Sequence, residues 1–478
     1  MRSSTRWDLW FIEIGLFTEG IRCEGRDCEN LFTRAVPAGG GPRYCRGASM
    51  SAAAETSPLD TMRRHLRICV IGYADSTHVA ARARCFAELG HEVFLLTESP
   101  STNGIPGVTE LVPAWDPVLA RHLLLRIALW LCRKLHGSGC DGVWRAAVFV
   151  RLLRQCRPDV VHVHFAYSYY GWLAGIVGCR PLVVTVMGGD VLFEEQGNPS
   201  EAGKQLTLGL LRRADFITSK SHYLTEVLDR LGGFGRKAER IVWGISLRRF
   251  HRVDAGSLRA SLGFGAERRV ILSPKILQPL YRVHLIVEAM ALLHRQFPDV
   301  VLLVTEYAAD PEYKAAIERR IVALDLHAHV VFCGRVAHAD MPAYYSLSEM
   351  AVGVPSSDGL PQTLLEAMAC ETPNILSKLP RYEEIVRHGE SAYFVEATPE
   401  AIAAGMAHLL GDRQLCARIA GNAREIVGRE GDLDEQALRV ERRYRELAMT
   451  VRPRAFGFPA LLTGWRCFRL LGRAAGGG

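Results

Sequence analysis

Short apolar runs recur along this chain, each closed by glycine or a polar turn and most followed by a helical stretch. RICVIG (Arg67 to Gly72) is the first, and HEVFLLT (His91 to Thr97) the second. PDVVHVHF (Pro158 to Phe165), RPLVVTVMG (Arg180 to Gly188), ADFITSKS (Ala214 to Ser221) and ERIVWGI (Glu239 to Ile245) complete one set. The pattern then restarts with RVILSPK (Arg269 to Lys275) and continues through DVVLLVTE, HVVFCG, MAVGV and TPNILS. Strands that are apolar on both sides and alternate with helices belong to parallel sheets covered on both faces. Two such series predict two doubly wound α/β domains facing one cleft, with ligands outside the carboxyl ends of the strands.

The boundaries follow from composition. Residues 1–66 carry a GGG run and an Ala/Ser-rich stretch, lack the order of a signal peptide, and are expected to be a poorly ordered leader; Met50 and Met62 are alternative starts. Residues 67–248 form the first domain and 249–431 the second, with the hinge expected in the polar stretch Ser246 to Gly265. An amphipathic helix at 432–450 closes the folded part, and 451–478 form a basic apolar tail.

A net charge of +7, with no zinc-finger spacing or basic low-complexity tail, argues against a nucleic-acid partner. The 13 cysteines are odd in number and never fall in a CxxC pair, so a reducing, cytoplasmic setting is expected rather than a disulfide framework or zinc site. No run reads as a transmembrane span, because the longest stretch without Lys, Arg, Asp or Glu, Val160 to Cys179, is broken by His162, His164 and a Tyr-Gly step.

The segment SSDGLPQTLLEAM (Ser356 to Met368) carries the chemistry. It follows a strand, turns at Asp358-Gly359-Leu360-Pro361 and enters a helix at Gln362. A helix N-terminus offers unpaired N–H groups and a partial positive charge, which suits a phosphate. Asp358 on the rim and Glu366 inside the helix add acceptors for hydroxyls, a combination that suits a sugar nucleotide.

From about Arg67 to Ala448, roughly four fifths of its length, the chain resembles the GT-B glycosyltransferases, specifically the retaining family 4 or group 1 enzymes. The resemblance rests on Asp358-x7-Glu366, a variant of that family's E-x7-E motif with Asp first, framed by the GLP turn and TLLEAMA helix. It implies two Rossmann-like domains facing a cleft (the GT-B fold), and transfer of a sugar from a UDP- or GDP-linked donor to a glycan or lipid-linked acceptor, with no metal and no cofactor. It further implies that Glu366 accepts from the ribose and that Asp358 lies near the donor sugar. Backbone groups of Gly359 and Leu360 would line sugar and phosphate, and Thr363 and Leu364 would cradle the distal phosphate.

Other family positions are altered. The family's GRL-x3-KG cations correspond to SPKILQPLYRV, where Lys275 takes the arginine position, Tyr281 the lysine position, and Arg282 follows; the resemblance implies that Lys275 neutralises the diphosphate as a catalytic cation with Asp358, and either Arg282 reaches in beside it or one cation and the helix end suffice. Arg335 and Val336 fall near the expected base site, and Arg can stack on a base. In the first domain Gly72 and His78 belong to the turn after the first strand, and a His-Gly pair is replaced by Met187-Gly188, followed by Asp190. The resemblance makes Gly72, His78 and Asp190 acceptor-side residues and Gly188 a donor-side one; Asp190 has helix capping as its alternative. His162 and His164 share a strand face and are expected to pack in the core.

Two other functions are compatible with these residues: a GT-B nucleotide-sugar epimerase or hydrolase, and a non-catalytic partner subunit, which Tyr281 and Met187 favour. Surface polysaccharide or lipid-linked glycan synthesis is the expected setting. The basic apolar stretch Asp116 to Gly137 and the tail Phe456 to Leu471 are candidates for docking on anionic membrane, at the inner face of the plasma membrane.

Overall fold

The computed structural model describes residues 65–113, 139–195, 200–306, 309–452 and residues 470, 471 and 474. His65–Gly477 form one compact unit. The membrane-docking candidate at Asp116 to Gly137 and nearly all of the leader and tail lie outside the described residues. No described helix is long and apolar enough to cross a membrane.

Thirteen strands fall among the described residues: β1 Arg67–Ile71, β2 Glu92–Leu96, β3 Val108–Leu111, β4 Val160–His164, β5 Leu182–Thr185, β6 Phe216–Ser219, β7 Ala238–Arg240, β8 Arg269–Ser273, β9 Val300–Val304, β10 Val330–Phe332, β11 Met350–Gly353, β12 Asn374–Ser377 and β13 Tyr393–Val395. The described helices are α1 Thr77–Glu88, α2 Gly139–Cys156, α3 Tyr169–Val177, α4 Glu201–Arg213, α5 His222–Gly232, α6 Gly256–Ser261 and α7 Val283–Leu293. They continue with α8 Pro311–Ala323, α9 Met341–Leu347, α10 Gln362–Ala369, α11 Pro380–Glu383, α12 Pro399–Gly411, α13 Arg413–Glu430 and α14 Leu433–Thr450.

The strands make two sheets, ordered β3-β2-β1-β4-β5-β6-β7 and β10-β9-β8-β11-β12-β13. Their pairings are parallel throughout. The central strands β4, β5, β9 and β11 are buried along their whole length, as helices on both faces require. Each sheet reverses its order once, between β1 and β4 and between β8 and β11. Strand ends splay apart at such a reversal, so these two points are where a ligand fits. The turns at Gly72, His164, Lys275 and Ser356 to Pro361 all leave one of these four strands.

The chain crosses between the lobes just before the polar stretch Ser246 to Gly265, not within it. Leu258, Leu262 and Phe264, around α6, already pack on the second lobe's core. The crossing is at Gly244 and Ile245, where Ile245 N–H donates to Gly431 O (2.9 Å) and Leu433 N–H donates to Ile245 O (3.0 Å). A Cβ on Gly244 would lie 1.7 Å from Gly431 O, so the two crossing segments lie too close for any side chain there. The last helix then returns to the first lobe: Leu433, Ala437, Val440 and Tyr444 of α14 share a core with Ile68, Val70, Phe86 and Trp243.

Candidate active site

On the second lobe the wall is built from the turn between β11 and α10. Asp358 Oδ2 accepts from Lys275 Nζ at 2.8 Å and from the Tyr382 hydroxyl at 3.1 Å. Lys275 leaves the end of β8 and is 5% exposed, so this ion pair is sheltered. Tyr281 lies beside it, with Lys275 Nζ 5.8 Å from the ring centroid. Helix α10 starts at Pro361 with no side-chain cap, which leaves its first-turn N–H groups without a side-chain acceptor. Pro361 has no N–H to contribute. The buried Thr363 hydroxyl in that turn has no partner. A cation, an open helix end and a spare hydroxyl together form a setting for an anion.

Glu366 is 3% exposed and engaged at both oxygens. Oε1 accepts from His338 Nε2 at 2.7 Å and Oε2 from the Tyr345 hydroxyl at 2.9 Å. Each carboxylate oxygen can accept more than one hydrogen bond, so these partners orient the group and leave it capacity for a further hydroxyl. His338 is the part-exposed member of the set.

The first lobe faces this wall at close range. Gly188 has φ 124°, a conformation glycine adopts without strain. A Cβ there would come within 3.2 Å of Gly359 Cα, and one on Gly359 would lie 2.4 Å from Met187 O. Lys220, just past β6 and 5% exposed, crosses the gap and donates from Nζ to Leu360 O at 3.3 Å. Burial first, then the Arg82 charge, brings its ammonium down to about 7, although Asp358 and Asp190 pull the other way. Behind the Met187 loop, Arg82 of α1 is 2% exposed and stands 4.3 Å over the Trp243 ring. Its Nη1 approaches His164 Nδ1 at 3.0 Å and Met187 Sδ at 3.5 Å. Burial lowers this guanidinium to about 9. His78 and His164 are both pushed well below the usual imidazole range, chiefly by burial, and are neutral at pH 7.

This geometry corrects the expectation for Asp190 and places the other expected positions. Asp190 is fully buried, and its carboxylate accepts from three backbone amides: Ala166 (2.7 Å), Met187 (2.9 Å) and Gly188 (2.9 Å). It therefore fixes the Met187–Gly188 loop from beneath and has no face for acceptor hydroxyls. Arg282, next to Tyr281, caps α7 in the left-handed region (φ 52°). Its charge is felt by His284. Leu360 and Leu364 bury their side chains, so only their backbone groups can face a ligand. Arg335 is exposed on its loop beside the half-buried Val336, and Gly72 packs between Val79 and His164. His162 sits in the core, where it bonds Thr185 Oγ1 at 2.7 Å and the Tyr444 hydroxyl.

Two family models match the two lobes in turn: Glycosyltransferase Family 4 over residues 76–249, and Glycosyl transferases group 1 over residues 254–426. The chain belongs to the family 4, group 1 glycosyltransferases. It is 26% identical over 418 residues to a D-inositol 3-phosphate glycosyltransferase of Thermobispora bispora, which covers 81% of this chain and 92% of that one. It is 24% identical over 273 residues to the N-acetyl-alpha-D-glucosaminyl L-malate synthase of Bacillus anthracis, covering 56% and 70% of the respective chains. Among solved structures, Anabaena Alr3699/HepE in complex with UDP and glucose superimposes with a TM-score of 0.65 at 17% identity, over 80% of this chain and all of that one. Sucrose-phosphate synthase from Thermosynechococcus elongatus gives a TM-score of 0.65 at 21% identity, over 80% and 98%. The two structural likenesses show the fold, which is GT-B.

Three residues of this glycosyltransferase's cleft carry no sequence signal of their own: Arg82, Lys220 and His338. Arg82 stands among the polar positions of a helical stretch, Lys220 in a serine-flanked strand end, and His338 in an alanine-rich loop. The one available hint was the loss of the family's histidine at Met187, which is the residue Arg82 touches.

Proposed function

We propose that this glycosyltransferase moves a sugar from a nucleoside-diphosphate donor to an acceptor hydroxyl, with retention at the anomeric carbon. The observation that carries the reading is the second-lobe wall, where Lys275 pairs with Asp358 on the turn that leads into the uncapped start of α10, the helix that carries Glu366. Glu366, held by His338 and Tyr345, accepts from the ribose hydroxyls. The α10 amides, Thr363 and Lys275 hold the diphosphate. The leaving diphosphate gains charge as the sugar–phosphate bond lengthens, so fixed donors aimed at it stabilise the transition state more than the ground state. The positive charge in this reading comes from protein groups, without a metal. Asp358, anchored by Lys275 and Tyr382, and the Gly359 and Gly188 backbone border the sugar. A neighbour of the same fold bound to UDP and glucose supports a nucleotide-sugar donor. The two named relatives support a small polar acceptor, beside the polysaccharide or lipid-linked acceptor that the sequence leads one to expect.

The test is calorimetric titration of the purified full chain with UDP, GDP and their sugars. One nucleotide class should bind in the micromolar range, and Glu366→Ala should lose at least tenfold in affinity. Absence of binding across the panel, or an unchanged Glu366→Ala, would refute it.

A further inference from the structure

The first-lobe wall holds more positive charge and more unused donors than its own residues satisfy. Arg82 is 2% exposed, and its Nη2 has no partner. His164 is 2% exposed, and its Nε2 has none; the buried Nδ1 of His78 is likewise unpaired. Lys220 has only a carbonyl oxygen at 3.3 Å. Arg82 Nη1 lies 3.0 Å from His164 Nδ1 and 3.5 Å from Met187 Sδ, the Met187 carbonyl and Lys220 both meet the Gly359–Leu360 turn, and Val79, next to His78, packs with His164 around Gly72, so the four side chains gather at one place, where the Arg82 and Lys220 charges are both felt by His78. The cluster looks across at His338, Asp358 and Lys275 of the opposite lobe, which also act on Lys220 or His78.

The nearby carboxylates are committed elsewhere. Asp190 is saturated by three amides, Asp358 is paired with Lys275, and Glu366 is held by His338 and Tyr345. Among the described residues, burial dominates the environment of Arg82, with no carboxylate among its main influences. The Trp243 face offsets part of the cost of burying the guanidinium, but it gives Nη2 no acceptor. Buried unpaired donors of this kind need a reason, and a group that arrives with substrate supplies one.

We propose that Arg82, His78, His164 and Lys220 form a binding site for an anionic group on the acceptor, a phosphate or a carboxylate, on the opposite side of the cleft from the donor's diphosphate. The proposal rests on the donor reading above, which assigns Lys275 and the start of α10 to the diphosphate. Phosphate suits the cluster in kind: Arg82 offers a planar donor, Lys220 a point charge, and two neutral imidazoles each offer an N–H once the tautomer is set. The acceptor hydroxyl next to that anion would then be delivered beside Gly188 and Gly359, where the lobes meet.

Inorganic phosphate is the probe. It is titrated calorimetrically into the full chain, first alone and then with UDP saturating the donor wall. With UDP bound, the wild type should still take up one phosphate. Affinity should fall at least tenfold in both Arg82→Met and Lys220→Met, and recover to within threefold of wild type in Arg82→Lys. Lys275→Ala should weaken UDP while leaving the phosphate affinity, measured at saturating UDP, within twofold. The proposal is overturned if phosphate does not bind alongside UDP, or if Lys220→Met binds it as well as wild type. One-for-one competition between phosphate and UDP also overturns it, because the cluster would then serve the donor's diphosphate. Should Arg82→Met not fold, Lys220→Met decides the matter. A protein that binds phosphate but not UDP would remove the donor reading and leave the anion site standing.

Discussion

Gly359 and Met187 meet across the cleft so closely that a methyl group added to Gly359 would lie 2.4 Å from the Met187 carbonyl oxygen. The obstacle is main chain anchored by Asp190, not the end of a flexible side chain, so it cannot swing aside. Gly359→Ala should therefore hold the lobes apart by a fraction of an ångström to an ångström at the site of transfer. Misplacement of that size costs up to ~100-fold in rate. We expect kcat to fall by about one to two orders of magnitude, while binding of the donor nucleotide, which the proposed reading gives to the second lobe, changes by less than about threefold. Steady-state kinetics beside calorimetry would check this, and wild-type kcat in Gly359→Ala would exclude it.

Glu366 separates two roles when its variants are compared. Glu366→Ala strands the Tyr345 hydroxyl, which is fully buried, and this should cost about 1–3 kcal/mol of stability. Glu366→Gln keeps one acceptor oxygen and should cost less stability, yet it loses the charge-assisted bonds and should still bind UDP about tenfold more weakly. Chemical denaturation and calorimetry on both variants give the two numbers independently. Equal stability in the two variants would contradict the Tyr345 contact.

Much of this architecture is legible in the sequence because central parallel strands are buried on both faces and read as unbroken apolar runs. β9 (VVLLV) and β4 (VVHVH) could hardly be anything else. β3 (VTEL) and β13 (YFV) escaped notice for the complementary reason. They are short edge strands, half exposed, and carry no such run. The second-lobe site was legible because turn, helix start and acid lie within a dozen residues. The first-lobe site is assembled from α1, β4, the Met187 loop and the end of β6, which only the fold brings together. Arg82 shows the difficulty: it lies two positions from Arg84, which is half exposed and paired with Glu88, and nothing local distinguishes the two. Asp190 follows the family's His-Gly position and so suggests a ligand contact, whereas its three amide donors come partly from Ala166 on another loop, which the local sequence does not show.

Lys220 gives a pH signature. Its ammonium titrates near 7 when folded and near the ordinary lysine value of about 10.4 when unfolded, so the unfolded chain holds the extra proton between those values. Stability should accordingly rise with pH from about 7 to 9 by this group's contribution. Lys220→Met removes the burial penalty and should flatten that rise, and it should be more stable than wild type at pH 6 by on the order of 1 kcal/mol. Thermal melts of both proteins from pH 6 to 9 test it; parallel pH profiles would mean that the lysine is not the titrating group.

Asp190→Asn is nearly isosteric but chemically wrong for its site. One oxygen accepts from Met187 and Gly188 and the other from Ala166, so an amide must turn an N–H toward at least one donor. The expected cost is about 2–4 kcal/mol, together with a displaced Met187–Gly188 loop. Turnover should suffer more than UDP affinity, since the loop belongs to the first lobe. Retention of full stability would show that the loop is held by something other than this carboxylate.

A second set of contacts fastens the lobes beside the sugar site, through Ser357 and Arg381, the neighbours of Asp358 and Tyr382. Glu195 of the first lobe accepts from Ser357 (2.6 Å), from the Tyr223 hydroxyl (2.8 Å) and from Arg381 (2.9 Å), while Glu384 of the second lobe accepts from the Tyr223 amide at the start of α5. Arg381 is almost fully buried over the Tyr223 ring, so losing Glu195 leaves it without its ion-pair partner. Burial pushes the Glu195 carboxyl up, but Ser357, Tyr223 and Arg381 together bring it below the usual glutamate value. A carboxyl depressed in the folded state stabilises above its unfolded pKa and ceases to do so as pH falls through the folded one. The fastening should hold at pH 6 and weaken below about pH 4.5. Glu195→Ala should reproduce at pH 7 the opening that wild type shows in acid, seen as a larger radius of gyration by small-angle X-ray scattering, with a matching loss of turnover. Identical scattering for the variant and wild type at pH 7 would mean that the hinge at Gly244 and the Gly188–Gly359 contact suffice to keep the cleft closed.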